Sequence, residues 1–247
     1  IDTALTVDRR EVRVSTERGN FITTTLRMAF PLQTGDYAFG ALSGDWRLFR
    51  PVRVRDQVPM TLATRIHGKL LVDLGDAGLP YPELAFLGGA PSMRGYPTRS
   101  MGPYRTYQPV EGTYRYVPVG GTLGLVLSEE LRYYGGYGVT WAVFGDVATL
   151  ANPGRTVDIR DDTFWDDITD SARFAVGVGA RYQSSIGPLR LDFAMRPYAD
   201  EDCGPVESPL ACYQATPIQR RLDAVRFIDR SSSLPAFMIF FAFGEAI

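Results

Sequence analysis

One arginine sits in a setting that calls for chemistry. Residues 88–96 read GGAPSMRGY, which places Arg94 between Met93 and Tyr96 and encloses it with Gly88, Gly89 and Gly95. A guanidinium on such a turn is either solvated or folded back against protein. Folded back, it requires carboxylates, because an unpaired buried charge is costly. Other reactive side chains offer less. Ser92 lacks a G-x-S-x-G setting, and the only histidine, His67, is distant in sequence. Cys203 and Cys212, in CGPVESPLAC, bracket two prolines in a polar loop. That spacing suits a disulfide clip formed in an oxidising compartment, not a CxxC metal or redox site. The acidic run DDTFWDD (Asp161, Asp162, Asp166, Asp167) lacks the glycine spacing of a calcium loop. Those residues, with Glu129, read as solvated loop or rim positions. Asp161/Asp162 and Glu129/Glu130 are sequence neighbours, not a placed acid–base pair. The residues point to no catalytic constellation, no metal and no cofactor.

The elements that would position Arg94 are strands. Period-2 segments recur from end to end, and no convincing helix-period segment appears. In GPLRLDFAMRP, Leu189, Leu191, Phe193 and Met195 share one face while Arg190, Asp192, Ala194 and Arg196 share the other. RFAVGVGARYQ sets Phe174, Val176, Val178, Ala180 and Tyr182 against Arg173, Ala175, Gly177, Gly179, Arg181 and Gln183. The SSIGP between them makes a hairpin turn. Segments 60–70 and 121–134 alternate likewise, and further strands are expected at 2–8, 19–30, 37–49, 83–88, 138–148 and 235–244. This gives about ten strands, many longer than the ~5–6 residues usual in globular proteins.

Some connections are tight (31–36, 134–137, 184–188). Others are long, polar and rich in Pro, Gly and Asp (89–118, 149–172, 198–234). In a meander the later long loops fall at one end and the short turns at the other, which is the pattern of an outer-membrane β-barrel. A soluble sandwich also alternates, but its polar face usually carries Thr, Ser, Lys and Glu. Here that face carries Gly, Ala and Arg with Asp and Glu, as a crowded polar lumen would. Phe30, Trp46, Tyr133, Trp141 and Tyr182 are expected near strand ends, as interface girdles are. The fold class expected is therefore all-β, a single antiparallel transmembrane barrel domain over 1–247, with the loop 89–118 folding into the lumen. An open edge cannot face lipid, so the sheet must close.

Composition agrees. Charged residues make up 22% and the net charge is −2, so there is no basic footprint for nucleic acid. Lys69 is the only lysine among 26 cationic residues. That bias fits a GC-rich genome, or a preference for arginine in fixed, partly buried ion pairs. No stretch approaches the ~20 apolar residues of a spanning helix. The start at Ile1, without a leader, reads as a mature or truncated product.

With a barrel argued, GGAPSMRGY resembles the GG-x(3)-VRG(F/Y) loop motif of the BamA/TamA type of outer-membrane protein assembly factors. GGTLGLVLSEELRYY is similar to that superfamily's GGN…SLE strand, and VTWAVFGDVATL to its strand with an aromatic-aromatic-x-D-x-G pattern. RFAVGVGARYQSSIGPLRLDFAMRP resembles its hairpin with an IGP turn. DRREVRVSTERGNFITTTL is similar to the strand pair with a P-T-R-G turn. FAFGEAI resembles its terminal β-signal, which places Phe241, Phe243, Gly244 and Ile247 there. Departures are Met93 for Val, Ala148 for Gly, and Ile247 for the usual Phe or Trp. The resemblance implies a sixteen-stranded barrel of which this chain is the C-terminal part, without the periplasmic POTRA modules. It also implies outer-membrane lipid as surroundings, unfolded outer-membrane or secreted polypeptides as clients, and accessory periplasmic or lipoprotein subunits. Alternatives are a two-partner-secretion pore, an anchor for a separate enzymatic domain, and a passive structural pore.

By alternation, Glu130 and Asp146 face inward on the strands following the loop. The resemblance assigns the partners of the motif arginine to the same two residues. Arg94 is thus expected to pin the loop to the wall, with Gly88, Gly89 and Gly95 permitting close backbone packing and Tyr96 wedged beside it.

Overall fold

The computed structural model describes residues 1–11, 16–31, 37–54, 58–101, 104–110, 113–150, 168–169, 171–185, 187–196 and 237–243. In chain order the strands are β1 (Asp2–Asp8), β2 (Gly19–Ala29), β3 (Phe39–Val54), β4 (Val58–Asp73), β5 (Tyr104–Val110) and β6 (Thr113–Pro118). They are followed by β7 (Leu123–Tyr134), β8 (Val139–Leu150), β9 (Arg173–Ser184), β10 (Gly187–Met195) and β11 (Phe237–Phe243). Nine of these make one antiparallel meander, β1-β2-β3-β4-β7-β8-β9-β10-β11, and β5-β6 form a separate hairpin. β1 and β11 are the two edges of the sheet among the described residues.

The sheet is inverted relative to a soluble protein. On β7, Val126, Ser128, Glu130 and Arg132 are buried, while Leu125, Leu127, Leu131 and Tyr133 are exposed. On β10, Arg190, Asp192 and Ala194 are buried against exposed Leu191 and Phe193. On β8, Ala142, Phe144 and Asp146 are buried against Trp141, Val143 and Val147. Charge inside and hydrocarbon outside is stable only where lipid replaces water on the outer face.

Because the strands alternate in direction, connections 30–38, 74–122, 151–172 and 196–236 share one end. The connections 9–18, 55–57, 135–138 and 185–186 share the other. Near this second end, Tyr133 and Trp141 are cross-strand partners and Tyr182 pairs with Val139, making a belt of exposed rings. Trp46 departs from the expectation. β3 continues to Val54, so its ring lies mid-strand, opposite Ile66.

Segment 83–88 is not a strand. Tyr81–Glu83 form a 3-10 turn, and Ala85 and Leu87 make single bridges to Gly121 and Met101. The proline pair Pro80 and Pro82 withholds two donors, and Gly88 and Gly89 adopt left-handed φ of 111° and 93°, so no ladder can propagate. The chain instead crosses the inner face. Ala85, Leu87, Met93, Tyr96 and Met101 bury against Val126, Ala148, Leu150 and Ala175 of β7, β8 and β9. The main apolar cluster is therefore one that the connection brings to the sheet.

Candidate functional site

The connection between β4 and β7 folds tightly before it delivers Arg94. Gly89 N–H donates to the Tyr96 carbonyl (2.9 Å) and Ser92 N–H to the Gly89 carbonyl (3.1 Å). The Ser92 hydroxyl accepts from Gly88 N–H (2.9 Å) and donates to the Gly88 carbonyl (3.0 Å), closing the turn on itself. Glycine is required at two points. A Cβ on Gly88 would lie 2.3 Å from the Pro97 carbonyl oxygen at a φ of +111°. One on Gly95 (φ +89°) would lie 2.9 Å from Ala175 Cβ, so its absence lets the loop backbone rest on β9.

Arg94 is 2% exposed, and Glu130 and Asp146 are 0% and 1% exposed. The Arg94 Nε donates to Asp146 Oδ2 (2.7 Å) and Nη2 to Asp146 Oδ1 (2.6 Å), a bidentate fork. Its Nη1 donates to Glu130 Oε2 (2.8 Å), and its backbone N–H to Asp146 Oδ2 (3.1 Å). The guanidinium lies 3.4 Å over the Phe144 ring. Gly177 makes that ring's place, since a Cβ there would meet Phe144 Cζ at 2.3 Å. Burial opposes the Arg94 charge, but Asp146 and Glu130 outweigh it and raise the guanidinium above its ordinary pKa.

The strands add further charges. Glu130 accepts from Arg132 (2.9 Å) and Arg181 (2.9 Å). Arg181 also donates to Asp192 (2.6 Å), which is paired with Arg190 and lies 3.8 Å from Arg94. Gly179 leaves the room these groups fill, because a Cβ there would fall 2.2 Å from Asp192 Oδ1. At the tip of the turn, Arg190 donates to the Ala90 carbonyl (3.3 Å) and Arg65 to the Pro91 carbonyl (2.6 Å). Arg65 is itself held by Asp45 (2.9 Å), which also accepts from Arg47 (2.7 Å). Strands from β3 to β10 thus converge on one short turn.

Gly88, Gly89, Met93, Arg94, Gly95 and Tyr96 meet Glu130 and Asp146 in this cluster, with Arg196 stacked 5.1 Å over the Tyr96 ring. Phe241 lies apart, exposed on β11 opposite Leu191, and the backbone of Phe243 pairs with Leu189. Gly244, Ile247, Cys203, Cys212, Asp161, Asp162, Asp166 and Asp167 lie outside the described residues. Glu129 overturns its reading as a solvated loop or rim residue. It stands in the middle of β7 and takes a 3.0 Å hydrogen bond from Thr64 of β4 on the outer face.

Alternation had already set Arg132, Arg181, Arg190, Asp192, Gly177 and Gly179 on the polar face. None of them was singled out because the register was missing, and register alone brings residues on six strands together. Phe144 and Arg65 carried no sequence signal beyond their parity. Chemically the cluster is a network of charge-assisted hydrogen bonds. It suits a clamp, and among the described residues no group of His, Cys, Asp or Glu is arranged to hold a metal ion.

Comparison with known proteins agrees with this geometry. The fold is that of BamA from Haemophilus ducreyi lacking POTRA domains 1-3, with a TM-score of 0.63, 20% identity and 79% of this chain covered. The match spans 38% of that protein's chain. The all-β architecture expected from the alternation is thus that of a transmembrane barrel, present here in part. A model of the Omp85 superfamily domain matches residues 1–207, and the chain belongs to that superfamily.

Proposed function

We propose that this barrel region assists the insertion, assembly or translocation of polypeptides at an outer membrane, with Arg94 pinning the 89–118 loop inside the lumen. The observation that carries the reading is the burial of Arg94 against Asp146 and Glu130 in a barrel of this superfamily. A loop fixed at both carboxylates and at the Ala90 and Pro91 carbonyls fills the space that a passive channel would leave open. It also braces β4 against β10. Membrane lipid surrounds the outer face, and the clients are unfolded outer-membrane or secreted polypeptides, with accessory periplasmic or lipoprotein subunits.

A barrel edge can lend its backbone groups to a client strand by β-augmentation. No nucleotide or metal enters such a step, since the work is templating and conformational. Full-length protein in phosphatidylcholine vesicles should accelerate the folding of a small unfolded outer-membrane barrel above the rate in protein-free vesicles. Steady ion conductance with no acceleration would instead identify a passive pore.

A further inference from the structure

We propose that Glu129, with Thr64 and Gly145, is a docking point inside the bilayer for a second membrane protein that presents a basic side chain at mid-depth. This rests on the barrel fold alone and not on the proposed function.

The outer face is hydrocarbon almost throughout. Among the described residues, the charged side chains at outward strand positions are Arg50 and Glu129. Arg50 is level with Leu131 through Leu62, one outward position nearer the aromatic belt than Glu129, and its long stem can carry the guanidinium to the interface. Glu129 has no such escape. It lies four residue steps from Tyr133 in the aromatic belt, which at ~3.4 Å per residue and a strand tilt of ~40° is about 10 Å below that interface. Leu127 and Leu131 flank it on β7, and both are exposed on the same face. A short carboxylate stem cannot span that depth.

The carboxylate is also incompletely used. A carboxylate offers about four acceptor sites, and Thr64 Oγ1 fills one at 3.0 Å. The neighbour across β8 is Gly145, where a Cβ would meet nothing within 4 Å. Glu129 therefore borders a notch with bare backbone, where another spanning segment can approach closely. A lipid headgroup does not reach this depth, so an ammonium there has to come from a protein. Ionisable groups inside a membrane are paired as a rule, and the complementary partner of a lone carboxylate is a lysine or arginine. On this strand Val126, Ser128, Glu130 and Arg132 are the residues buried on the inner face. The inner ion pairs run to Glu130 and not to Glu129, so the inner network does not require it.

The probe is a synthetic Leu/Ala transmembrane helix with one central lysine, carrying a dansyl group, beside the same helix with a central leucine. Each is co-reconstituted with the full protein in phosphatidylcholine vesicles, and energy transfer from tryptophan is read. Trp141 lies on the outer face of β8, two outward positions from Gly145, and serves as donor. The lysine helix should associate about fivefold more strongly than the leucine helix, the range of polar contacts between membrane segments. Glu129→Gln and Glu129→Leu should abolish that preference, and Glu129→Asp should retain it. All three should fold, since they remove or keep a single outward charge, and heat-modifiable migration checks this. Equal transfer from the two helices on the unsubstituted protein would overturn the proposal, as would a preference that survives in Glu129→Leu. Transfer between donor- and acceptor-labelled copies of the protein that is lost in Glu129→Leu would also overturn it, by making the occupant a second copy.

Discussion

Truncating Arg94 removes three side-chain hydrogen bonds, two to Asp146 and one to Glu130. The two carboxylates are left in different positions. Glu130 keeps Arg132 and Arg181, whereas Asp146 keeps only the backbone N–H of residue 94 at 3.1 Å. Asp146 is 1% exposed, so Arg94→Ala strands a buried anion and should cost about 3–5 kcal/mol. Asp146→Ala should cost a similar amount, because Arg94 then keeps Glu130 and only a distant Asp192 at 3.8 Å. The double variant removes both halves of the pair. Its loss should fall short of the sum by about 2 kcal/mol or more, the signature of direct coupling. Arg94→Lys should recover less than half of the loss, because one ammonium cannot fork onto Asp146 and also reach Glu130. Urea unfolding and refolding in phosphatidylcholine vesicles, followed by tryptophan fluorescence, measures all four variants. Strict additivity of Arg94→Ala and Asp146→Ala, or full rescue by lysine, would refute the reasoning.

Two of three further predictions use the same unfolding assay, and the other uses limited proteolysis. Gly177→Ala should destabilise by about 1–3 kcal/mol, because its Cβ would meet Phe144 Cζ at 2.3 Å, while Gly145→Ala, with nothing within 4 Å, should be near neutral. Equal effects at the two sites would contradict the placement of Phe144 under Arg94. Gly88→Ala should release the turn, seen as protease cleavage within 89–101 that the unsubstituted protein resists, since φ +111° and the Pro97 carbonyl both exclude a Cβ. Glu129→Leu should stabilise the barrel in bilayers by about 1–2 kcal/mol, with no gain in Glu129→Asp, because it takes a charge off the lipid-facing surface.

The strands were legible because one face meets lipid and the other a crowded interior, so period 2 persists over 9 to 16 residues in most of them. Parity put Glu130 and Asp146 on the correct side for the same reason. Glu129 was read as a solvated loop or rim residue, because a carboxylate reads as solvated until the unbroken strand from Leu123 to Tyr134 leaves it nowhere else to go. The Leu-Ala-Phe-Leu of 84–87 was misleading because a chain crossing the inside of a sheet is as apolar as a strand within it. The β5-β6 hairpin was hidden in a long connection, although Glu111-Gly112 between two runs rich in Tyr, Thr and Val is a turn signal. The partners of Glu130 and Asp192 needed register, which no single strand encodes. Ser128 opposite Asp146, and Gly179 opposite Asp192, are facts about pairs of strands.

The central claim is that the pinned loop is required for work on polypeptides as well as for stability. Client folding in vesicles containing either the full-length protein or its Arg94→Ala variant tests it most directly, at a temperature where heat-modifiable migration shows both barrels folded. The account predicts acceleration by the unsubstituted protein and loss of most of it in Arg94→Ala. Equal acceleration by the two folded proteins would contradict it.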